Sequence, residues 1–77
     1  MDKVRLLADK IIKDFTLTVK DRTDELLKLD AIQYTNLGLE SSKEERKGVK
    51  ANSKYIYRKI KEIDEPFGKT LIHHMDV

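Results

Sequence analysis

Apolar residues recur along the first part of the chain at the spacing of one helix face: Val4, Leu7, Ala8, Ile11 and Phe15. Asp2 stands before them as an N-cap, where a carboxylate accepts from an orphan backbone N–H. Through FTLTVKDRT the period changes. Phe15, Leu17 and Val19 alternate among threonines that favour strand. A lone strand has no hydrogen-bonding partner, and no other segment alternates. The pattern therefore predicts a helix that continues to about residue 20, loosens near Asp21 and Arg22, and resumes under a cap at Thr23 or Asp24. Leu26, Leu29 and Leu37 supply the stripe of the resumed helix. The alternative is one unbroken helix with Val4, Leu7, Ile11, Phe15, Val19, Leu26 and Leu29 on one side, interrupted only by Arg22.

Gly38 follows YTNL and fits a left-handed helix C-cap, because glycine has no Cβ to clash there. Next comes LESSKEER, in which Ser41 with Glu44, or Ser42 with Glu45, makes a capping box. The helix that starts there should run to about Asp64 and stop before Pro66, since the residue before proline avoids helical geometry. Gly48 and the ANS at 51–53 are weak points inside it. EPFGKTLIHHM then forms a short terminal helix or tail, with Pro66 tolerated in a first turn and Gly68 counting against a helix.

On a wheel of about 100° per residue, Val49, Ile56, Ile60 and Ile63 fall within about 40° of their mean direction and form a buried seam. Lys43, Arg46, Lys47, Lys50, Lys54, Arg58 and Lys61 gather on one flank, with Tyr57 among them. That flank is roughly 27 Å long at 1.5 Å per residue. Charge is polarised accordingly. Residues 1–41 carry seven basic and eight acidic groups, residues 42–63 eight and three, and residues 64–77 one and three. A net charge of +2 thus conceals a segment of net +5.

A basic stripe with an embedded tyrosine has two readings beyond a merely solvated helix face. It can dock an acidic protein surface, where such charges steer encounter and orientation. Alternatively it can track phosphates, with Tyr57 stacking on a base or donating to a phosphate and with affinity that falls as salt rises. SKYIYRKIKEI has the composition of a DNA-reading helix, but its context excludes a helix-turn-helix. With Gly48 as the turn, SKEERK has no apolar face to support the motif; with Gly38, Glu44 and Lys47 occupy positions that must be apolar.

Other candidate chemistry is thin. His73 and His74 are adjacent and diverge by about 100° on a helix, so they do not share a metal easily, even with Asp76 nearby. Asp9, Asp14, Asp21, Asp24 and Asp30 read as solvated helix charges, because carboxylates catalyse only in a pocket that shifts their pKa. FGKT shares the end of a phosphate-binding loop but has Asp64 where the upstream glycine is required. Tyr34 and Tyr55 read as half-buried packing residues. There is no cysteine, hence neither disulfide nor thiolate metal site. No apolar run reaches the ~20 residues that span a bilayer. MDKVRLLADK has scattered charges and no apolar core like that of a secretory signal, so the expected location is cytoplasmic. Twelve lysines against four arginines, without tryptophan, fit an AT-rich genome such as that of a bacterium or its phage.

Residues 1–77 should therefore form one small all-α domain, a helical hairpin or bundle of three to four helices. At this length roughly 60% of the unfolded surface can be buried, so self-association as a homodimer would add stability. The expected function is that of a non-enzymatic regulatory or adaptor protein that needs no cofactor or metal and binds no membrane. Its basic helix would meet an acidic partner protein, with nucleic acid as the alternative target of the same stripe. A structural assembly subunit is a more distant third reading.

Overall fold

The computed structural model describes residues 3–76. Four helices follow in order: α1 (Lys3–Ile12), α2 (Val19–Thr35), α3 (Lys43–Ile63) and α4 (Glu65–Asp76). This is the expected small all-α bundle, and no strand forms among the described residues. α3 is the hub. α1 and α2 pack on it and on each other, whereas among the described residues α4 packs on α3 alone. No helix among the described residues is long and apolar enough to cross a membrane.

The first break comes at Ile12, well before residue 20, and the threonines explain it. Thr18 is the N-cap of α2, extended at φ −68° and ψ 167°, and its hydroxyl oxygen accepts from Asp21 N at 3.1 Å. The Asp14 carboxylate accepts from Thr16 N at 3.1 Å and from the Thr16 hydroxyl, which closes the intervening turn. Residues that favour strand by composition are here caps and turn formers. Thr23, expected as a cap, is buried, and its hydroxyl donates to Val19 O at 2.9 Å. Asp2, the expected cap of the first helix, lies outside the described residues.

Arg22 is not an intruder on an apolar face. Its Nη1 donates to Ile12 O at 3.2 Å, satisfying a carbonyl at the C-terminal end of α1. The guanidinium also lies 5.2 Å from the centre of the Phe15 ring. Because the chain turns between α1 and α2, the helical phase is lost across residues 13–18. Phe15 and Val19 are consequently exposed rather than in the core, Phe15 by 81%, and Leu7, within α1, is exposed as well.

Ala8, Leu26, Ile56 and Ile60 are fully buried, and Val4, Ile11, Ile12, Leu27, Leu29, Tyr55, Tyr57, Ile63 and Leu71 pack around them. Tyr55 ties α1 to α3: its hydroxyl donates to Asp9 Oδ1 at 2.6 Å, and the Arg5 guanidinium lies 5.1 Å from its ring centre. Of the residues expected to close one end, Leu71 joins the core, Ile72 is half-buried and Phe67 is exposed.

Gly38 does not end α2. Asn36 does so in right-handed geometry, and no described glycine has a positive φ. Ser41 closes the turn instead, its Oγ accepting from Gly38 N at 2.8 Å and its N–H donating to Gly38 O at 3.1 Å. Capping of α3 falls to Ser42, which accepts from Glu45 N at 3.1 Å, so the second of the two expected boxes marks the start.

α3 runs unbroken through Gly48 and residues 51–53, and it ends at Ile63 with Asp64 as C-cap. Asp64 Oδ1 then accepts from Phe67 N at 3.3 Å, so one residue ends α3 and opens α4, with Pro66 in the first turn. Gly68 supports α4 rather than breaking it. A Cβ at that position would lie 2.4 Å from Lys61 Cα, so only glycine lets the two helices approach this closely.

Candidate functional site

The sequence placed eight residues on one flank of α3, and the structure separates them into two sets. Lys43, Arg46, Lys47, Lys50, Arg58 and Lys61 are exposed, and Lys54 is half-buried. Among the described residues, none of the six exposed cations has an ion-pair partner. Lys59 behaves differently. It is the one basic residue of this helix outside the flank, and it lies 3.7 Å from Asp9 Oδ1 and 3.6 Å from Glu62 Oε1. Burial would lower the Lys59 pKa, but Glu62, Tyr55 and Asp9 outweigh it and hold it above the ordinary lysine value.

Tyr57 is half-buried against the core. Its hydroxyl donates to Asp30 Oδ2 at 2.6 Å across the α2–α3 contact. Asp30 is itself buried, contrary to its reading as a solvated helix charge. Its Oδ1 accepts from Gln33 Nε2 at 3.0 Å and from the Ser53 hydroxyl. Ser53 Oγ lies 3.2 Å from Gln33 Nε2 and 2.9 Å from the Tyr34 hydroxyl. With the Ser53 proton directed to Asp30, Tyr34 supplies the proton of the last bond. A buried carboxylate is thus met by three neutral donors, the arrangement that offsets its loss of water.

The same contacts orient the Gln33 amide. Its NH2 must face Asp30 and Ser53, which turns Oε1 away to a position without a partner among the described residues. Burial raises the Tyr57 pKa, as do the bond to Asp30 and the charges of Asp30 and Tyr34. Ser53 is fully buried, and its bonds to Asp30, Gln33 and Tyr34 tie α3 to α2.

Sequence reasoning missed Asp30, Gln33 and Ser53. Thr23, Leu26, Asp30 and Gln33 form the buried stripe of α2, and three of these four are polar. Hydrophobic periodicity cannot reveal such a stripe. A detectable sign existed on α3, because Asn52 and Ser53 fall one turn before Ile56, on the side of the isoleucine seam. Asn52 Oδ1 accepts from Arg5 Nε at 3.1 Å, so both polar residues bond to other helices instead of competing for their own backbone.

α4 lies along the basic flank. Gly68 sits against Lys61, Ile72 lines a hollow with Arg58, Lys61, Glu62 and Glu65, and Met75 lines another with Arg46 and Lys50. At that last place the 36–42 turn, α3 and α4 enclose an open groove of about 640 Å³. His73 and His74 are exposed, with ring centres 6.2 Å apart. Among the described residues no group of three or more histidine, aspartate or glutamate side chains is placed to hold a metal ion. The Asp76 side chain lies outside the described residues.

Comparison with known proteins gives no match. No family model, no curated protein and no solved structure corresponds to this chain.

Proposed function

We propose that the protein is a non-enzymatic adaptor or regulatory protein that binds an acidic surface of a partner protein through the basic flank of α3. The observation carrying this reading is the row of six exposed cations without an ion-pair partner among the described residues, beside a Lys59 that is held by two carboxylates. A row of that kind raises the encounter rate with an acidic surface and fixes orientation on it. Two features favour protein over nucleic acid. The Tyr57 hydroxyl is committed to Asp30, so it is not free to donate to a phosphate. Ile72 and Met75 place apolar surface beside the cations, which suits a side-chain partner better than a phosphate backbone.

The test is capture from native lysate by the wild-type chain and by a K43E/K47E/R58E/K61E variant, at several salt concentrations. An acidic protein retained by the wild type and lost on charge reversal is the expected result. A wild-type chain that emerges alone would remove the adaptor reading. Tight binding to duplex DNA or single-stranded RNA with a steep salt slope would replace it with the nucleic-acid alternative.

A further inference from the structure

The groove at the N-terminal end of α3 is built by tertiary structure. Tyr34 comes from α2, Leu37 and Leu39 from the turn after it, Arg46 and Lys50 from α3, and Met75 from α4. Its volume of about 640 Å³ falls in the range of sites that hold several side chains or a small ligand. Leu39 is 100% exposed, yet it sits within the turn that Ser41 pins through Gly38. A fully solvated leucine on a pinned turn is a fixed apolar contact point. Arg46 and Lys50, one helical turn apart, add two positive charges to the lining, and both are exposed without an ion-pair partner among the described residues. Among the described residues no acidic side chain lines the groove.

Apolar lining with a cationic edge selects an occupant that is apolar on one side and anionic on the other. We propose that this groove takes an acidic peptide segment of the partner, with a large apolar side chain against Leu37, Leu39 and Met75 and flanking carboxylates on Arg46 and Lys50. The inference rests on the adaptor reading and locates the docking point within it. Arg58 and Lys61, at the far end of the flank, then steer the partner without gripping it.

The probe is a synthetic helical peptide with leucine and glutamate on adjoining faces, titrated into the full-length protein and followed by NMR. Two controls replace its glutamates with lysine or its leucines with serine. The expected result is saturable shifts of the Met75 methyl and the Leu37 and Leu39 amides with the first peptide only. R46E/K50E should weaken that binding at least tenfold, while R58E/K61E changes it by less than threefold. Leu39→Ser should weaken it without altering the spectrum of the free fold.

Equal binding by R46E/K50E, or shifts centred away from Met75, would overturn the assignment. Concentration-dependent shifts of the same resonances without peptide would overturn it too, because the occupant would then be a second copy of the chain. Lysate capture separates the two levels of the proposal. A partner still retained by R46E/K50E but lost with R58E/K61E removes the groove and leaves the adaptor reading standing; loss of capture by the wild type removes both.

Discussion

Ser53 on α3 donates its hydroxyl proton to Asp30 on α2, and both side chains are buried. This bond, with those from Gln33 and Tyr57, fixes the register of the two helices by hydrogen bonding at a place where most small bundles use leucine. A carboxylate satisfied only by neutral donors is sensitive to the loss of any of them.

Asp30→Ala should therefore destabilise the fold by about 3 kcal/mol, since it strands buried donors on Gln33 and Ser53 and frees the Tyr57 hydroxyl. Ser53→Ala should cost about 1–2 kcal/mol, and the double variant should cost less than the two together because the residues share one network. Urea-unfolding midpoints measure all three. Strict additivity would show that the two side chains act separately.

Stability should fall at alkaline pH. The folded-state pKa of Tyr57 is raised above its ordinary 10.0, first by burial and then by Asp30. The folded chain keeps this proton where the unfolded chain has released it. Stability is thus complete below about pH 10 and declines as pH rises through the folded value. Tyr55, raised chiefly by its bond to Asp9, and Lys59 act with the same sign. Tyr57→Phe should lower stability at neutral pH by about 1–2 kcal/mol and flatten the alkaline decline without abolishing it. Thermal midpoints for both proteins from pH 8 to 11 provide the check.

Gly68→Ala should loosen α4, even though alanine is the better helix former. The added methyl meets the Lys61 backbone at 2.4 Å, and main chain cannot yield as the tip of a side chain can. A loss of about 2 kcal/mol or more is expected, with new protease cleavage near Asp64 as α4 separates from α3. Alanine at Gly48, where nothing lies within 4 Å of the added Cβ, should instead stabilise α3 by about 0.5–1 kcal/mol. The opposite signs of these two glycine replacements distinguish close approach from helix propensity.

Arg22→Ala should cost about 1–2 kcal/mol, because it uncovers the Ile12 carbonyl at the end of α1 and removes the cation above Phe15. Phe15→Ala should cost under 1 kcal/mol, since that ring is 81% exposed. The alternative of one unbroken helix predicts the reverse order, with Phe15 the costly deletion. Chemical denaturation of the two variants decides between them.

Local chemistry was legible from the chain alone. Ser42 with Glu45 started α3, its end fell at Asp64 just before Pro66 although Glu65 itself is helical, and the isoleucines at 56, 60 and 63 named its inward side, because caps and helical period act within a few residues. The gathering of cations on one flank followed from the same period. The sequence by itself also determined the class, a small all-α bundle, since no segment carried the alternation a sheet requires. Four matters waited for tertiary structure: the break at Ile12, the burial of Asp30 and Ser53, the need for glycine at 68, and the groove between Leu39 and Met75. Each depends on a contact between residues far apart in the chain or on a turn that resets the helical phase. Hydrophobic pattern records how apolar a position is; it does not record which distant donor will meet a carboxylate there, nor how closely another backbone will approach.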